Sequence, residues 1–373
     1  MSSSVSVLIT LFNHERYIQD TIRSALGQTR PPTEIIVLDD ASTDLSVAAA
    51  REIVHDSIRI FAEPRNLGGP NTMKGLKYCS GDFVAILNSD DVWEKEKLQQ
   101  QLSYLQENPD CGAVFTLVNV IDESGARWPE RSNPYQLTFD VGNTDRYGWL
   151  RRFYYSGNQF CASSAMVRRE CFERVGILDG RYTQLQDFDM WLRIVMGGYK
   201  VHVIPERLTN YRVLRDGSNM SAARESTRAA FVLEFARILR NFWQIDSLRE
   251  LAKTFPDISI AADADETLIR YYLAHHAAAL PGMHHRLFAL ETMLSWGGDY
   301  HSMNLAGRCH DFSHADYRSF LARGPVNDLL RLDAKNRVDG IARRILPASW
   351  HQKLKTLHRS LKRPPRTVGD RYR

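Results

Sequence analysis

Residues Phe83–Leu87 form an unbroken apolar run, entered through Gly81-Asp82 and left through Asn88-Ser89-Asp90-Asp91. A strand without polar alternation is buried on both faces. An open parallel sheet covered by helices provides that, and a half-solvated antiparallel sheet does not. At the strand's C-terminal end stand two adjacent carboxylates, Asp90 and Asp91, where sheets of this kind gather ligands. Side by side and losing solvation, they repel each other. The pair therefore either holds a hard divalent cation such as Mg²⁺ or Mn²⁺, or caps the helix that begins near Glu94.

The same pattern recurs upstream. Val5–Thr10 reads as a first buried strand. Glu34–Leu38 reads as a second, again ending in two acids, Asp39 and Asp40, and Ile58–Phe61 as a short third. Helix-length segments separate them. Tyr17, Ile18, Ile22, Ala25 and Leu26 line one face of the first, which Pro31-Pro32 ends. Ser42-Thr43-Asp44 offers N-cap chemistry to the next, and a third helix falls near 71–79. Strands alternating with helices, joined by right-handed crossovers, make a doubly wound, mostly parallel α/β sheet. No Gly-x-Gly-x-x-Gly follows the first strand and no Gly-Lys-Ser/Thr loop occurs, which argues against a dinucleotide fold and leaves phosphate handling to metal and side chains.

Downstream, a helix runs through Leu98, Leu102 and Leu105, and Ala113–Val118 is a further strand. Residues 123–148 are polar with scattered aromatics and read as a long loop. Phe160–Val167 is apolar and rich in small residues. Leu185–Ile194 is amphipathic, with Asp187 near its N-terminal end, either as favourable dipole chemistry or as a general base facing Asp91. Val201–Ile204 is a last strand. Tyr211–Ser218 reads as a mobile basic loop whose Arg212 and Arg215 are either solvated or positioned to grip a diphosphate.

A chain of 373 residues has room for a large domain and a smaller one. Its five scattered cysteines read as reduced core residues, and no apolar run is long enough to span a bilayer. The N-terminus lacks signal-peptide character, so a cytoplasmic location is expected. The net charge of +4 is unevenly spread. Residues 1–220 carry 24 Lys and Arg against 28 Asp and Glu, whereas 221–373 carry 24 against 16. Strand signals stop near Ala222, and Phe231, Phe235, Ile238 and Phe242 take up helical spacing. The expected division is an α/β domain over 1–220, a helical domain over 221–334 and a basic tail over 335–373. His310-x-x-x-His314 has the one-turn spacing of a metal site but no catalytic surroundings, and is read as ordinary histidines. In the tail, Trp350, Leu354, Leu357 and Leu361 form an apolar stripe among lysines and arginines. That suits an anionic membrane surface or a helix packed on the helical domain. Nucleic acid is not expected, since aromatic interleaving is thin.

Read together, these blocks carry a resemblance. Ile9–Ile18, Ser24–Thr29, Glu34–Asp44, Asn66-Leu67-Gly68, Gly81-Asp82, Ser89-Asp90-Asp91 and Gln186–Arg193 follow one another as the motifs of family 2 glycosyltransferases do. The likeness covers roughly the first 215 residues. It implies a GT-A fold, a nucleotide-sugar donor (a UDP-sugar first) and inversion at the transferred sugar. The implied acceptor is a glycan or lipid-linked saccharide, in cell-surface polysaccharide assembly at the inner face of the plasma membrane. Carried over by position, Thr10 and Phe12 line the base pocket, with Asn13, Glu15, Asn66 and Ser89 around the donor. Asp40 bonds the nucleobase, Asp90 the ribose, Asp91 the Mn²⁺ or Mg²⁺, and Asp187 is the base. Arg212 or Arg215 takes the diphosphate. Thr72-Met73 and Leu214 depart from the family's usual Arg-Asn and His, and the Gln-x-x-Arg-Trp motif of processive members is absent, which favours transfer of one residue. The competing readings are a nucleotidyltransferase acting on a sugar phosphate and a non-catalytic nucleotide-sugar-binding protein.

Overall fold

The computed structural model describes residues 3–129, 133–214, 225–297 and 299–322. Arg215 and the 335–373 tail, and with them the diphosphate and membrane-surface expectations placed there, lie outside the described residues. The chain divides into two compact units, Met1–Asp311 and Phe312–Arg373.

The first unit is built on one eight-stranded sheet. Its strands are β1 Val5–Leu11, β2 Glu34–Asp39, β3 Ile58–Ala62, β4 Phe83–Asn88, β5 Val92–Trp93, β6 Cys111–Ile121, β7 Met166–Arg168 and β8 Lys200–Arg212, in the order 3-2-1-4-7-6-8-5. The four strands of the expected β-α-β-α-β-α-β run are mutually parallel. They are linked by α1 Ile18–Leu26, α2 Ser46–Arg51 and α3 Gly69–Tyr78. Burial of β1, β2 and β4 on both faces follows from helices covering each side, with Val7, Ile9, Val37, Ala85 and Leu87 meeting Ile18 and Ile22 in the core. Close seating of α3 depends on Gly75, where a Cβ would stand 2.6 Å from Leu8 Cδ1.

Register sets the site. Thr10 pairs with Leu38 on one side and Asn88 on the other. The C-terminal ends of β2, β1 and β4 therefore finish along one edge, with the two acid pairs on either side of β1, about 10 Å apart at the usual strand spacing.

Beyond β4 the sheet becomes mixed. β7 pairs antiparallel with β4 and β6, and β5 antiparallel with β8, while β6 and β8 run parallel through several register shifts. Two expectations need correction here. β8 runs for 13 residues through Tyr211 and Arg212, so these two residues, expected to open the 211–218 loop, are strand. Bulges opposite Thr116 and Leu117 break its alternation, which hides a strand from sequence periodicity. Residues 123–148 are not one loop either. They include α5 Pro134–Phe139 and the start of α6 Arg146–Ser156, which buries Trp149, Leu150, Phe153 and Tyr154.

The remaining helices are α4 Lys97–Glu107, α7 Arg169–Val175, α8 Gln186–Met196, α9 Glu225–Ile238, α10 Leu248–Thr254, α11 Ile269–Ala278, α12 Met283–Trp296, α13 Tyr300–His310 and, in the second unit, α14 His314–Ala322. The all-helical C-terminal region thus begins at α9. His275, His276, His284, His285 and His310 lie among aromatic rings: His285 Nε2 meets the Tyr154 carbonyl at 2.8 Å and His310 Nε2 the Tyr272 hydroxyl at 2.8 Å. Burial holds His276, His284, His285 and His310 below the usual imidazole range. Among the described residues no helix is long and apolar enough to cross a membrane.

Candidate functional site

At the open edge of the parallel strands, the turn after β1 is stitched to the turn after β2. Asn13 donates its N–H to Ser42 Oγ (2.9 Å), and its side-chain oxygen accepts from the Thr43 N–H (2.8 Å). His14 N–H reaches Ser46 Oγ (2.8 Å), and Glu15 Oε2 accepts from Leu45 N–H (2.8 Å). Asn13 and Ala41 both adopt left-handed backbone, at φ 51° and 61°, and for Ala41 that costs roughly 1–2 kcal/mol. Asn13 and Glu15, expected beside a donor, thus shape the rim. Phe12 stands 43% exposed on it and Thr10 is half-buried beneath. Asp40 accepts from the Leu67 and Gly68 N–H groups at 2.7 and 2.8 Å, holding the 66–68 turn, where Asn66 is exposed, against the strand ends.

The second acid pair is the more deeply set. Asp91 is 0% exposed; its Oδ1 accepts from the Arg212 backbone N–H (2.8 Å) and its Oδ2 from the Ser163 hydroxyl. Burial first, and the neighbouring Asp90 charge second, push its carboxyl well above the ordinary range. Asp90 keeps 7% exposure and is also pushed up by burial, against the pull of His14 and Arg212. Ser89 Oγ lies 2.8 Å from His14 Nδ1. Desolvated acids side by side suit a cation with oxygen ligands. Among the described residues, however, no group of three or more His, Cys, Asp or Glu is arranged to hold one, so water or a ligand's own oxygens must complete any shell. Both oxygens of Asp91 are thus engaged by the protein, and Asp90 is the less deeply buried of the two.

Arg212, expected to grip a diphosphate, is buried. Its guanidinium donates to the carbonyls of Asp90 (2.7 Å), Asp122 (3.0 Å) and Glu123 (3.1 Å) and lies over the Tyr17 ring. As placed, it positions the acid pair from behind.

Asp187 sits in the first turn of α8 and is partly exposed. Its oxygens accept from the Phe188 N–H (2.7 Å) and from Asn158 Nδ2 (2.8 Å), yet desolvation outweighs both and raises the carboxyl to about 6. Asn158 and Ser163 belong to one short strap, so Asp187 is held at one end of a segment whose other end holds Asp91. Five residues span at most roughly 17 Å. The buried Cys161 thiol, midway along it, is pushed up by burial and then by the charges of both Asp91 and Asp187. Asp189 is separate: it is paired with Arg193 (2.8 Å) on the other side of α8. The approach to α8 is fastened by Glu234 of α9, whose carboxylate accepts the N–H groups of Thr183, Gln184 and Leu185 at 2.7, 2.8 and 2.9 Å. Beside Asp187, the amide oxygens of Gln159 and Gln186 are buried with no hydrogen-bond partner among the described residues.

His14, Asn158, Ser163 and Glu234 were not singled out by sequence reasoning. His14 was legible, since it lies inside the first motif. Asn158 and Ser163 are short polar side chains outside any periodic stretch, and Glu234 sits on a helix whose apolar spacing says nothing of its charge.

Residues 6–176 match the family model described as Glycosyl transferase family 2. The uncharacterized glycosyltransferase MJ1057 of Methanocaldococcus jannaschii is 28% identical over 214 residues, 56% of this chain and 70% of its own. The putative teichuronic acid biosynthesis glycosyltransferase TuaG of Bacillus subtilis is 28% identical over 234 residues, 61% and 86% of the two chains. Among solved structures, S. aureus TarS 1–349 superposes with a TM-score of 0.51 at 17% identity, over 86% of this chain and 90% of that one. Its complex with UDP-GlcNAc superposes at 0.50, with 18% identity and the same coverage. At such identity the likeness is one of fold, a GT-A sheet with a helical C-terminal region.

Proposed function

We propose that this chain, whose residues 6–176 match the glycosyl transferase family 2 model, moves one sugar from a nucleotide-sugar donor to a hydroxyl of a glycan or lipid-linked acceptor, with inversion. The observation that supports this reading is the short 158–163 segment, whose Asn158 donates to Asp187 and whose Ser163 donates to Asp91. A UDP-sugar is the first donor to test, since TarS is known in complex with UDP-GlcNAc. Cell-surface polysaccharide is the first acceptor class, since TuaG is named for teichuronic acid biosynthesis.

Each residue has a definite task. Phe12, Thr10 and the 66–68 turn held by Asp40 border the space for the base, and Ser89 and His14 face the ribose. Asp90, backed by Asp91, would hold Mn²⁺ or Mg²⁺ together with the donor's phosphate oxygens, and the cation supplies charge neutralisation at the departing diphosphate. Asp187, with a carboxyl near 6, is ionised at neutral pH yet basic enough to take the acceptor's proton. A retaining route through a second carboxylate is disfavoured because Asp189 is buried in its pair with Arg193.

A panel of UDP-, GDP- and CMP-sugars incubated with Mn²⁺ and candidate acceptors tests this. Release of nucleoside diphosphate (monophosphate for CMP donors), with inverted anomeric configuration by NMR, is expected. Pyrophosphate-dependent cleavage of the nucleotide sugar to a nucleoside triphosphate and a sugar 1-phosphate would point instead to nucleotidyl transfer.

A further inference from the structure

On the side of α8 away from Asp187 lies a cavity of about 490 Å³. Its walls are the 177–182 turn, Asp189 and Arg193 of α8, and Arg237, Arg240 and Asn241 at the end of α9 and in the short helical turn that follows. Two residues along a helix is a rotation of about 200°, so Asp189 faces this space while Asp187 faces the cleft.

Four guanidinium groups and two carboxylates line it, and most are committed. Arg181 chelates Asp179, Arg193 pairs with Asp189 and with the carbonyls of residues 175–177, and Arg240 pairs with Glu291 outside the cavity. Asn241 donates to Asp189 (3.2 Å) and to the Ile238 carbonyl (2.9 Å). Two polar groups remain. Among the described residues, the Arg237 guanidinium and the Tyr182 hydroxyl take part in no hydrogen bond or ion pair. Burial first, and Arg237's charge second, push Arg240 below its usual range. Tyr182 is pushed up to about 12, so its hydroxyl stays protonated as a donor.

We propose that this cavity binds an anionic saccharide, a sugar bearing a phosphate or a carboxylate, with Arg237 and the Tyr182 hydroxyl holding the oxyanion. A guanidinium and a hydroxyl donor are the pair that recognises such a group. The volume falls within the range of small-molecule sites and is more than a bare anion needs. Ile177, Leu178 and the Tyr182 ring offer the apolar wall on which a sugar face rests. The site stands independently of the transferase reading, because it shares no residue with the cleft.

Calorimetry on the full chain with glucose 6-phosphate, glucuronate, inorganic phosphate and glucose tests it, with UDP plus Mn²⁺ as a separate titration. Saturable binding of either charged sugar is expected, tighter than that of inorganic phosphate and absent for glucose. Loss of a charged hydrogen bond in Arg237→Ala should weaken it by about tenfold to a hundredfold, and Tyr182→Phe by less. The UDP titration should stay unchanged in both. Because Arg237 has no partner among the described residues and its charge opposes that of Arg240, the unliganded Tm of Arg237→Ala should equal or exceed that of the wild type, so misfolding does not confuse the result. Binding of inorganic phosphate as tight as that of the sugars would overturn the saccharide assignment. Absence of saturable binding, or affinity untouched by Arg237→Ala, would overturn the site.

Discussion

Replacing Asp187 by Asn should make the protein more stable and nearly inactive. The carboxyl is raised to about 6 from an ordinary 3.8, a gap worth roughly 3 kcal/mol at about 1.4 kcal/mol per pH unit. The folded state's raised value means no penalty below about pH 4, a penalty growing between about 4 and 6 as only the unfolded chain ionises, and a constant penalty above. Partial exposure reduces this figure. The carboxamide removes the penalty and keeps an acceptor for Asn158, but it cannot accept from both Asn158 and the Phe188 N–H, which returns about 1 kcal/mol. A net gain of about 1–2 kcal/mol remains, or a Tm rise of roughly 2–5 °C. Differential scanning calorimetry at pH 7.5 and pH 4 should show that gain at the higher pH and its disappearance at the lower. Transfer should fall by about 10²–10⁴ as the base is lost. A variant that transfers sugar at the wild-type rate, or is less stable than wild type at pH 7.5, would refute the assignment.

Three other outcomes follow from the same geometry. The kcat profile of the wild type should rise with pH through about 6 and then level, as Asp187 must be ionised to accept a proton; full activity at pH 4.5 contradicts this. Ser163→Ala removes one of the two donors to buried Asp91 and should cost about 1–3 kcal/mol in urea unfolding, and an unshifted midpoint would mean that the hydroxyl contributes nothing. Glu234→Ala releases three backbone N–H groups ahead of α8, and kcat should drop while the dissociation constant for UDP stays unchanged. A matching loss of UDP affinity would show that Glu234 acts on the whole cleft.

Legibility of the fold tracked burial. β1, β2 and β4 are covered on both sides, so their sequences are mostly apolar and lack polar alternation. The far half of β8 mixes Glu206, Arg207, Asn210 and Tyr211, and its bulges remove the alternation that reveals a half-buried strand. Its Arg212 resembled a loop residue because an arginine seldom spends its donors on carbonyls inside a sheet. α6 was concealed by Arg146, Arg151 and Arg152, although Trp149, Leu150, Phe153 and Tyr154 already lay at helical spacing. In the site, Asp40, Asp90 and Asp91 were visible because strands end at them, and Asp187 because an apolar helix begins there. Asn158 and Ser163 were not, since a strap that only holds other side chains carries no periodic signature. Which of Asp90 and Asp91 lies deeper was equally out of reach, because adjacent identical residues are told apart only by what surrounds each.

The most direct test of the account is isothermal titration of UDP into wild type and Asp90→Asn, each with Mn²⁺ and with EDTA. Wild type should bind UDP with Mn²⁺ and lose at least tenfold in affinity with EDTA, whereas Asp90→Asn should bind weakly and alike in both. Metal-independent binding in the wild type, or an Mn²⁺ effect that survives in Asp90→Asn, would contradict a cation held at that carboxylate in a nucleotide-sugar cleft.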